Sequence, residues 1–202
     1  MGSNKKMLRH IVIVSLILFL TACGSSPKTN FYVLNADLGA MTREANINKG
    51  PAVGVWRVKL PDILDRSEIV TRDSQFEIKL GDFSWWAGSL DKNMTQLIAA
   101  ELSERLRSSL VVVSPWESYR KLDYQVVIRV ERFDGVLGGE AVLRGVWGLL
   151  DAEGQKELQR EAFAFKADTA DPTYKEMVAA MSQLTVQLAG QVAKAILTQA
   201  SL

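Results

Sequence analysis

The strongest constraint on the fold is a pair of apolar stripes at helical spacing, one on either side of a run of segments that alternate like strands. The first stripe follows residues 89–110, with Ser89 as the predicted N-cap. The second helix is predicted to start with Asp171 as its N-cap and Pro172 as its first helical residue. An apolar residue at every third or fourth position marks a helix face that must be buried. The stripes consist of Leu90, Met94, Leu97, Ile98, Leu102, Leu106 and Leu110, and of Tyr174, Met177, Val178, Met181, Leu184, Leu188, Val192 and Ile196.

Strand-like segments fill the rest of the chain. Residues 122–133, 141–150 and 156–166 alternate, and the connections between them contain glycines and other turn residues typical of hairpins. Because two amphipathic helices each need a sheet face to cover, the sequence predicts an α/β fold. We expect a single domain in which two long amphipathic helices pack on a mixed β-sheet of about six to seven strands. Shorter strands are predicted at 31–34, 52–60, 68–72, 75–80 and 111–113, with turns at 61–66 and at Gly81-Asp82.

The first 22 residues have the pattern of an export signal. Lys5, Lys6 and Arg9 precede an apolar run at 11–20, which leads into small residues at 21–26. The apolar stretch spans about 18 Å as a helix, whereas a bilayer core is about 30 Å thick. The pattern therefore predicts a cleaved signal peptide and not a permanent membrane helix.

The residues at the end of this segment, Leu20-Thr21-Ala22-Cys23, are similar to the bacterial lipobox, in which the chain is cut before the cysteine and the cysteine is acylated. Cleavage is thus expected between Ala22 and Cys23, with residues 23–30 as the lipidated cysteine and tether and 31–202 as the domain. Two or more acyl chains anchor a protein stably. By the sorting rule of such lipoproteins, glycine at position 24 indicates the periplasmic face of the outer membrane. The alternative is a plain signal peptide whose cysteine stands at the cut by chance.

Few residues remain for catalysis or metal binding. The single histidine, His10, belongs to the predicted signal, and the single cysteine, Cys23, would carry lipid. The sequence therefore predicts no metal site, no cofactor and no nucleophile–histidine engine. A net charge of +1 without a basic stripe also argues against nucleic-acid binding. Asp62 and Asp65 are close enough in the chain to suggest an acid–base pair, but a solvated turn is the simpler interpretation.

The tryptophans are the most informative side chains that remain. Trp56 and Trp147 have apolar neighbours on predicted strands, which favours core packing, and Trp116 is expected at the rim of the core. Trp85 and Trp86 are adjacent, and neighbouring residues of an extended segment point in opposite directions. One of them is therefore expected in the core, while the other stays accessible to a lipid, a second copy of the chain or another partner.

Four segments resemble one known family in their order and spacing. They are Phe31-Tyr32-Val33-Leu34, the stretch from Leu60 to Arg72, the segment from Trp86 to Leu90 that opens the first helix, and the strand end from Ile128 to Gly135. Together they resemble the paraquat-inducible protein C family, also called the ABC-type transport auxiliary lipoproteins. This chain departs from the family pattern at Ile63, where the family has an aromatic residue, and at Ser89, where it has proline.

The resemblance implies a non-enzymatic outer-membrane lipoprotein that works with a mammalian-cell-entry-type (MCE) lipid transport system and supports membrane integrity. It implies an anticodon-binding-domain-like α/β fold, an envelope-spanning MCE-domain partner, self-association and a lipid ligand. The expected interaction surface consists of Phe83, Trp85, Trp86 and Ile63. Two alternatives remain: a pilotin-like or structural envelope lipoprotein of another secretion or assembly machine, and a periplasmic enzyme that uses carboxylates only.

Overall fold

The computed structural model describes residues 27–36, 50–117 and 121–201. The predicted signal peptide with its cleavage site at Ala22 and Cys23 and the residues 37–49 lie outside these ranges. The described ranges contain eight strands, two α-helices and one 3₁₀ turn. In chain order these are β1 (Asn30–Tyr32), β2 (Val53–Val55), the 3₁₀ turn (Asp62–Leu64), β3 (Glu68–Arg72), β4 (Ile78–Trp86), α1 (Leu90–Leu106), β5 (Val111–Val113), β6 (Tyr124–Gly135), β7 (Glu140–Leu150), β8 (Glu157–Asp168) and α2 (Tyr174–Ala200).

The larger sheet has five strands in the order β5-β2-β6-β7-β8. Its long part is the predicted antiparallel meander of β6, β7 and β8, while β2 pairs in parallel with both β5 and β6. The register brings Ile128, Trp147 and Glu161 side by side across the meander. The long alternating segments of the sequence thus form the scaffold of the domain.

Strand alternation gives this sheet a buried inner face and an open outer face. The inner residues of β6 and β7 are buried together with the helix stripes in one core cluster. On the outer face, Arg129, Arg144 and Arg160 are exposed, so no helix covers this side. The alternation predicted for both strands is confirmed. The buried inner residues are Val126, Ile128 and Val130 on β6, and Ala141, Leu143, Gly145, Trp147 and Leu149 on β7.

Both helices contribute their apolar stripes to this single core, but their predicted ends need correction. Helix α1 stops at Leu106 because Arg107 adopts a left-handed conformation with φ of 50°, which leaves Leu110 exposed. Helix α2 starts at Tyr174, and the Thr173 side chain accepts the capping hydrogen bond from the Glu176 amide. Asp171 and Pro172 were therefore wrong as cap and first helical residue. The Asp171 carboxylate instead accepts a hydrogen bond from the Thr173 amide, which shapes the entry to the helix.

The smaller sheet has three strands in the order β1-β4-β3. Strands β3 and β4 form an antiparallel hairpin, and β1 adds to β4 in parallel. The predicted turn at Gly81-Asp82 was wrong, because both residues lie inside β4. Pairing passes from Val70–Leu80 to Glu68–Trp85, so two steps along β3 match five along β4, and the extra residues form a bulge.

The prediction of a single mixed α/β domain with two long helices is confirmed, with the strands divided between two sheets. The strand predicted at 52–60 is shorter than expected, since regular pairing ends at Val55 and resumes only as a bridge between Lys59 and Arg129. Within the described ranges, no helix is both long and apolar enough to span a bilayer.

Candidate functional site

An exposed aromatic cluster lies on the smaller sheet, where β1 pairs with β4. Phe31 and Trp85 are register partners, and their rings meet edge to face with centroids 6.3 Å apart. The Trp85 indole N–H donates a hydrogen bond of 3.2 Å to the Asp82 carbonyl oxygen, which spans the bulge of β4. This geometry holds two large rings on the outside of the sheet.

Alternation along β4 separates its aromatic side chains into two sets. Phe83 is 44% exposed and Trp85 is half-buried, while Trp86 belongs to the core. The expectation that one of the adjacent tryptophans enters the core is confirmed, and Trp86 therefore does not contribute to an accessible surface. Phe31, which is 63% exposed, takes its place. We call Phe31, Phe83 and Trp85 the aromatic surface.

Ile63 is exposed, as predicted, but lies on the 3₁₀ turn that leads into β3 rather than on β1 or β4. Its role as an interaction residue stays a prediction. Within the 3₁₀ turn, the Asp65 amide donates to the Asp62 carbonyl oxygen, and both carboxylates face solvent. This agrees with the interpretation of these two residues as a solvated turn.

Hydrogen bonds fix β1, the strand that contains Phe31, and the residues after it to the rest of the domain. The Ala87 amide donates to the Tyr32 carbonyl oxygen at 2.8 Å. The Leu34 amide donates to the Asn93 side chain on α1, and the Asn35 amide to the Ser182 hydroxyl on α2. These bonds to Ala87 and to the two helices hold β1 and the residues that follow it, so the chain before Asn30 joins the domain at a fixed point beside the aromatic surface.

A buried carboxylate joins the two sheets. Asp134, near the end of β6, accepts a bifurcated hydrogen bond from Nε of Arg72 on β3, at 2.9 Å from both carboxylate oxygens, and a further bond of 2.8 Å from Nε of Arg132. The carboxylate side chain is 6% exposed, whereas both arginines are about a quarter to a third exposed. Charge-assisted bonds of this length are strong. Asp134 therefore sets how the smaller sheet sits on the larger one.

Trp56 is not in the core, contrary to the sequence prediction. Its side chain is 43% exposed, because β2 ends at Val55 and the chain leaves the inner face there. The Trp56 ring packs edge to face on Trp116, and its N–H donates to the Gln125 side chain at 2.9 Å. Trp147, by contrast, is fully buried as predicted, and Trp116 is partly buried at the rim.

The acidic residues of the described ranges do not assemble into a reactive centre. Nowhere in residues 27–36, 50–117 and 121–201 do three or more His, Cys, Asp or Glu side chains come together in a way that could hold a metal ion. Glu101 on α1 is buried, with its side chain 6% exposed, and its carboxylate lies 2.9 Å from the Arg105 guanidinium one turn later. This ion pair connects successive turns of α1 and stabilises the helix.

Two important residues escaped the sequence interpretation. Phe31 was assigned to a strand without a side-chain direction, although Tyr32 next to it is the residue that packs on the core. Asp134 was counted as part of a hairpin connection. Its signal was an acidic residue two positions after Arg132 at the end of an apolar strand, where a buried carboxylate needs a cationic partner.

Sequence comparison relates the chain to known proteins over most of its length. A family model described as ABC-type transport auxiliary lipoprotein component matches residues 32–193. The intermembrane transport lipoprotein PqiC of Escherichia coli strain K12 is 26% identical over 181 residues, which make up 89% of this chain and 92% of that protein. The protein of the same name from Shigella flexneri gives the same values.

Solved structures share the architecture at lower identity. The crystal structure of an uncharacterized protein superposes with a TM-score of 0.68 and is 24% identical, covering 84% of this chain and 99% of its own. The crystal structure of protein XCC0632 from Xanthomonas campestris gives a TM-score of 0.67 at 16% identity, covering 86% and 98%. At these identities, the two structures support the fold.

Proposed function

Since the chain belongs to the family of ABC-type transport auxiliary lipoprotein components, we propose that it is the outer-membrane lipoprotein of an MCE-type intermembrane lipid transport system. In this proposal, Cys23 carries the lipid anchor on the periplasmic face, and the domain receives the outer end of an envelope-spanning MCE-domain protein. The role is binding and positioning rather than catalysis. The similarity to an intermembrane transport lipoprotein supports a role in intermembrane transport, to which the proposal adds the lipid anchor, the outer membrane and the MCE partner.

The main support for the proposal is the short distance along the chain between the predicted anchor, Cys23, and the aromatic surface. Phe31 follows Cys23 by only the seven residues Gly24 to Asn30, which reach at most about 24 Å when extended. Because β1 pairs with β4 and the two residues Leu34 and Asn35 after it are hydrogen-bonded to the helices, the length of this tether limits the distance between the anchor and the folded domain. The aromatic surface is thus held close to the membrane, where a partner that crosses the envelope would arrive.

The chemistry of the aromatic surface suits a protein partner. Large aromatic side chains bury about 150–250 Å² each and dominate the energetics of many interfaces. Phe31, Phe83 and Trp85 lie on a paired sheet whose backbone is already ordered, so docking would cost little additional order. The exposed fraction of Phe31 leaves most of its ring available for such a contact.

Anchoring is tested by changing Cys23 to Ser in the full chain. We expect the wild-type protein to be labelled by palmitate and to fractionate with the outer membrane. The Cys23→Ser variant should lose the label and leave the outer-membrane fraction, whereas Ser25→Ala should retain both. Labelling that persists without Cys23, or a wild-type protein in the inner membrane, would refute this part of the proposal.

Docking is tested by co-purification from envelopes solubilised in mild detergent. The tagged wild-type protein should retain an MCE-domain protein, and Phe83→Ser should lower the retained amount by about tenfold, the effect of losing a typical hot spot. The matched control is Leu197→Ser, which changes an apolar side chain of similar exposure at the end of α2. A secretin- or pilus-type partner in place of the MCE protein would instead support the pilotin-like alternative.

A further inference from the structure

A groove crosses the outer face of the larger sheet, away from the aromatic surface residues. It has a volume of about 470 Å³ and is lined by the chain after β2 and by the middle of β6, β7 and β8. Sites for small organic ligands span roughly 300–1,000 Å³. The groove is therefore large enough for part of an amphiphilic molecule, and the open face of the sheet leaves it accessible.

Basic residues predominate around the groove, although the Glu157 carboxylate lies beside its floor, 3.5 Å from the Cβ position of Gly148. Four basic side chains, those of Arg57, Lys59, Arg129 and Arg160, contribute to the lining, and no acidic residue does. Arg57 and Arg160 each have a carboxylate nearby, at 3.5 Å on Asp91 and at 3.2 Å on Glu157. Both arginines are more than half exposed, so these pairs neutralise them only weakly.

Lys59 and Arg129 are the centre of this charge. They are direct partners in a parallel bridge, with the Lys59 amide 3.0 Å from the Ile128 carbonyl oxygen and the Val130 amide 2.9 Å from the Lys59 carbonyl oxygen. Paired residues of neighbouring strands point to the same face. Within the described part of the chain, neither side chain forms an ion pair. Two like charges opposite each other destabilise a sheet, so a bound anion would relieve a cost that the folded protein otherwise carries.

The floor of the groove is apolar. Val127 and Val146 lie on the outer face of β6 and β7, and Gly148 contributes no side chain at all. A Cβ added at Gly148 would lie 3.1 Å from the Val127 side chain, so the glycine keeps the floor open. Trp56 forms one wall, and its hydrogen bond to Gln125 and its contact with Trp116 hold the ring in place.

We propose that this groove binds one anionic amphiphile, with a phosphate headgroup between Lys59 and Arg129 and the start of a hydrocarbon body along Trp56, Val127 and Val146. A free inorganic anion would use only the cations, and a neutral lipid only the floor. The combination of both in one groove favours a ligand that has both parts, such as a phospholipid with net negative charge. The inference takes from the proposed function only that the protein works at a membrane surface.

The test uses the purified lipidated protein in micelles of a neutral maltoside detergent, with no partner protein present. Dioctanoyl phosphatidylglycerol is titrated and followed by tryptophan emission and native mass spectrometry. We expect one bound molecule per chain, with an affinity about tenfold or more above that of dioctanoyl phosphatidylcholine, and inorganic phosphate should bind weaker still. Equal affinity for the two lipids would overturn the role of charge, and equal affinity for phosphate would overturn the role of the apolar floor.

The double substitution Lys59→Gln and Arg129→Gln should lower the affinity for phosphatidylglycerol by about tenfold or more, because it removes both unpaired cations. The matched control is Arg144→Gln, which removes a cation from the outer face of β7 that pairs with Glu131 outside the groove. This control should bind within about twofold of wild type. Unchanged binding by the double variant would refute the site. Because the assay contains no partner, its failure leaves co-purification with an MCE protein unaffected, and the converse also holds.

Discussion

The aromatic surface and the cationic groove occupy different sheets and offer opposite chemistries. The aromatic surface consists of uncharged rings on the smaller sheet, next to the point where the tether enters. The groove carries four cations over an apolar floor on the larger sheet. In the two proposals above, the docking of a protein and the binding of an anionic ligand are therefore assigned to different sheets of one domain.

The difference between the two regions follows from what covers each sheet. Both helices pack into the core on the inner side of the larger sheet, so its outer face stays open around Arg129, Arg144 and Arg160. Solvent-exposed sheet faces carry charged residues, and here four basic residues line the groove around Val127, Val146 and Gly148. On the smaller sheet the bulge of β4 instead turns Phe83 and Trp85 outward, beside Phe31.

The largest effect is expected from breaking the link between the two sheets that carry these regions. Asp134→Ala would leave Arg72 and Arg132 without their shared carboxylate, and we expect a loss of about 3 kcal/mol in the free energy of unfolding, at the lower end for a buried pair because both arginines are partly exposed. Urea denaturation of the purified protein measures this. The control Glu131→Ala breaks the exposed pair with Arg144 and should cost less than about 1 kcal/mol. Similar losses for both variants would show that Asp134 does not join the sheets.

The separation of the two regions predicts that substitutions in one leave the other intact. Phe31→Ser combined with Phe83→Ser should lower co-purification of the MCE partner by more than about tenfold, but should change phosphatidylglycerol affinity by less than about twofold. The double glutamine variant of Lys59 and Arg129 should show the reverse pattern. If either pair of substitutions affects both measurements equally, with thermal stability unchanged, the two regions act as one site.

Ionic strength should distinguish the regions without any substitution. Raising NaCl from about 50 mM to about 500 mM shortens the Debye length and screens the exposed cations of the groove. We expect phosphatidylglycerol affinity to fall by about fivefold, because both partners in the headgroup contact are charged. Retention of the MCE partner through uncharged rings should stay constant or rise. If partner binding is sensitive to salt and lipid binding is not, the charged contact is not in the groove and the uncharged contact is not on the aromatic surface.

The smallest expected effect concerns the wall of the groove. Trp56→Phe keeps an aromatic ring but removes the hydrogen bond to Gln125, which contributes about 1 kcal/mol to stability. We expect lipid affinity to fall by only about two- to threefold, while most of the binding-induced change in tryptophan emission disappears. If the full emission change persists, the ligand lies elsewhere and does not contact this wall.

Much of the fold could be predicted because strong periodicity has few interpretations. The alternation of β6 and β7 was confirmed, as were both helices, the buried position of Trp147 and the expectation that one of the adjacent tryptophans enters the core. Helix ends were less predictable. Thr173, rather than Asp171, caps α2, and the choice between nearby capping residues depends on how the incoming chain docks.

The functional regions were harder to predict because they depend on pairing between distant segments. Trp56 was placed in the core, since its apolar neighbours cannot reveal that β2 ends one residue earlier. Lys59 and Arg129 are 70 positions apart in the chain and became neighbours only through a single bridge between strands. The predicted interaction surface of Phe83, Trp85, Trp86 and Ile63 included one buried residue, Trp86, because adjacency indicates that one of two tryptophans enters the core but not which one.

Docking of an MCE-domain protein on the aromatic surface is tested most directly by photo-crosslinking in intact cells, with a photoreactive amino acid in place of Phe83 in the full, lipidated chain. We predict a light-dependent product that contains an MCE-domain protein and that is absent when the same amino acid replaces Leu197. The product should also disappear when Cys23 is changed to Ser, because the unanchored domain leaves the membrane. Products formed only between copies of this chain, or only with a secretin, would contradict the account.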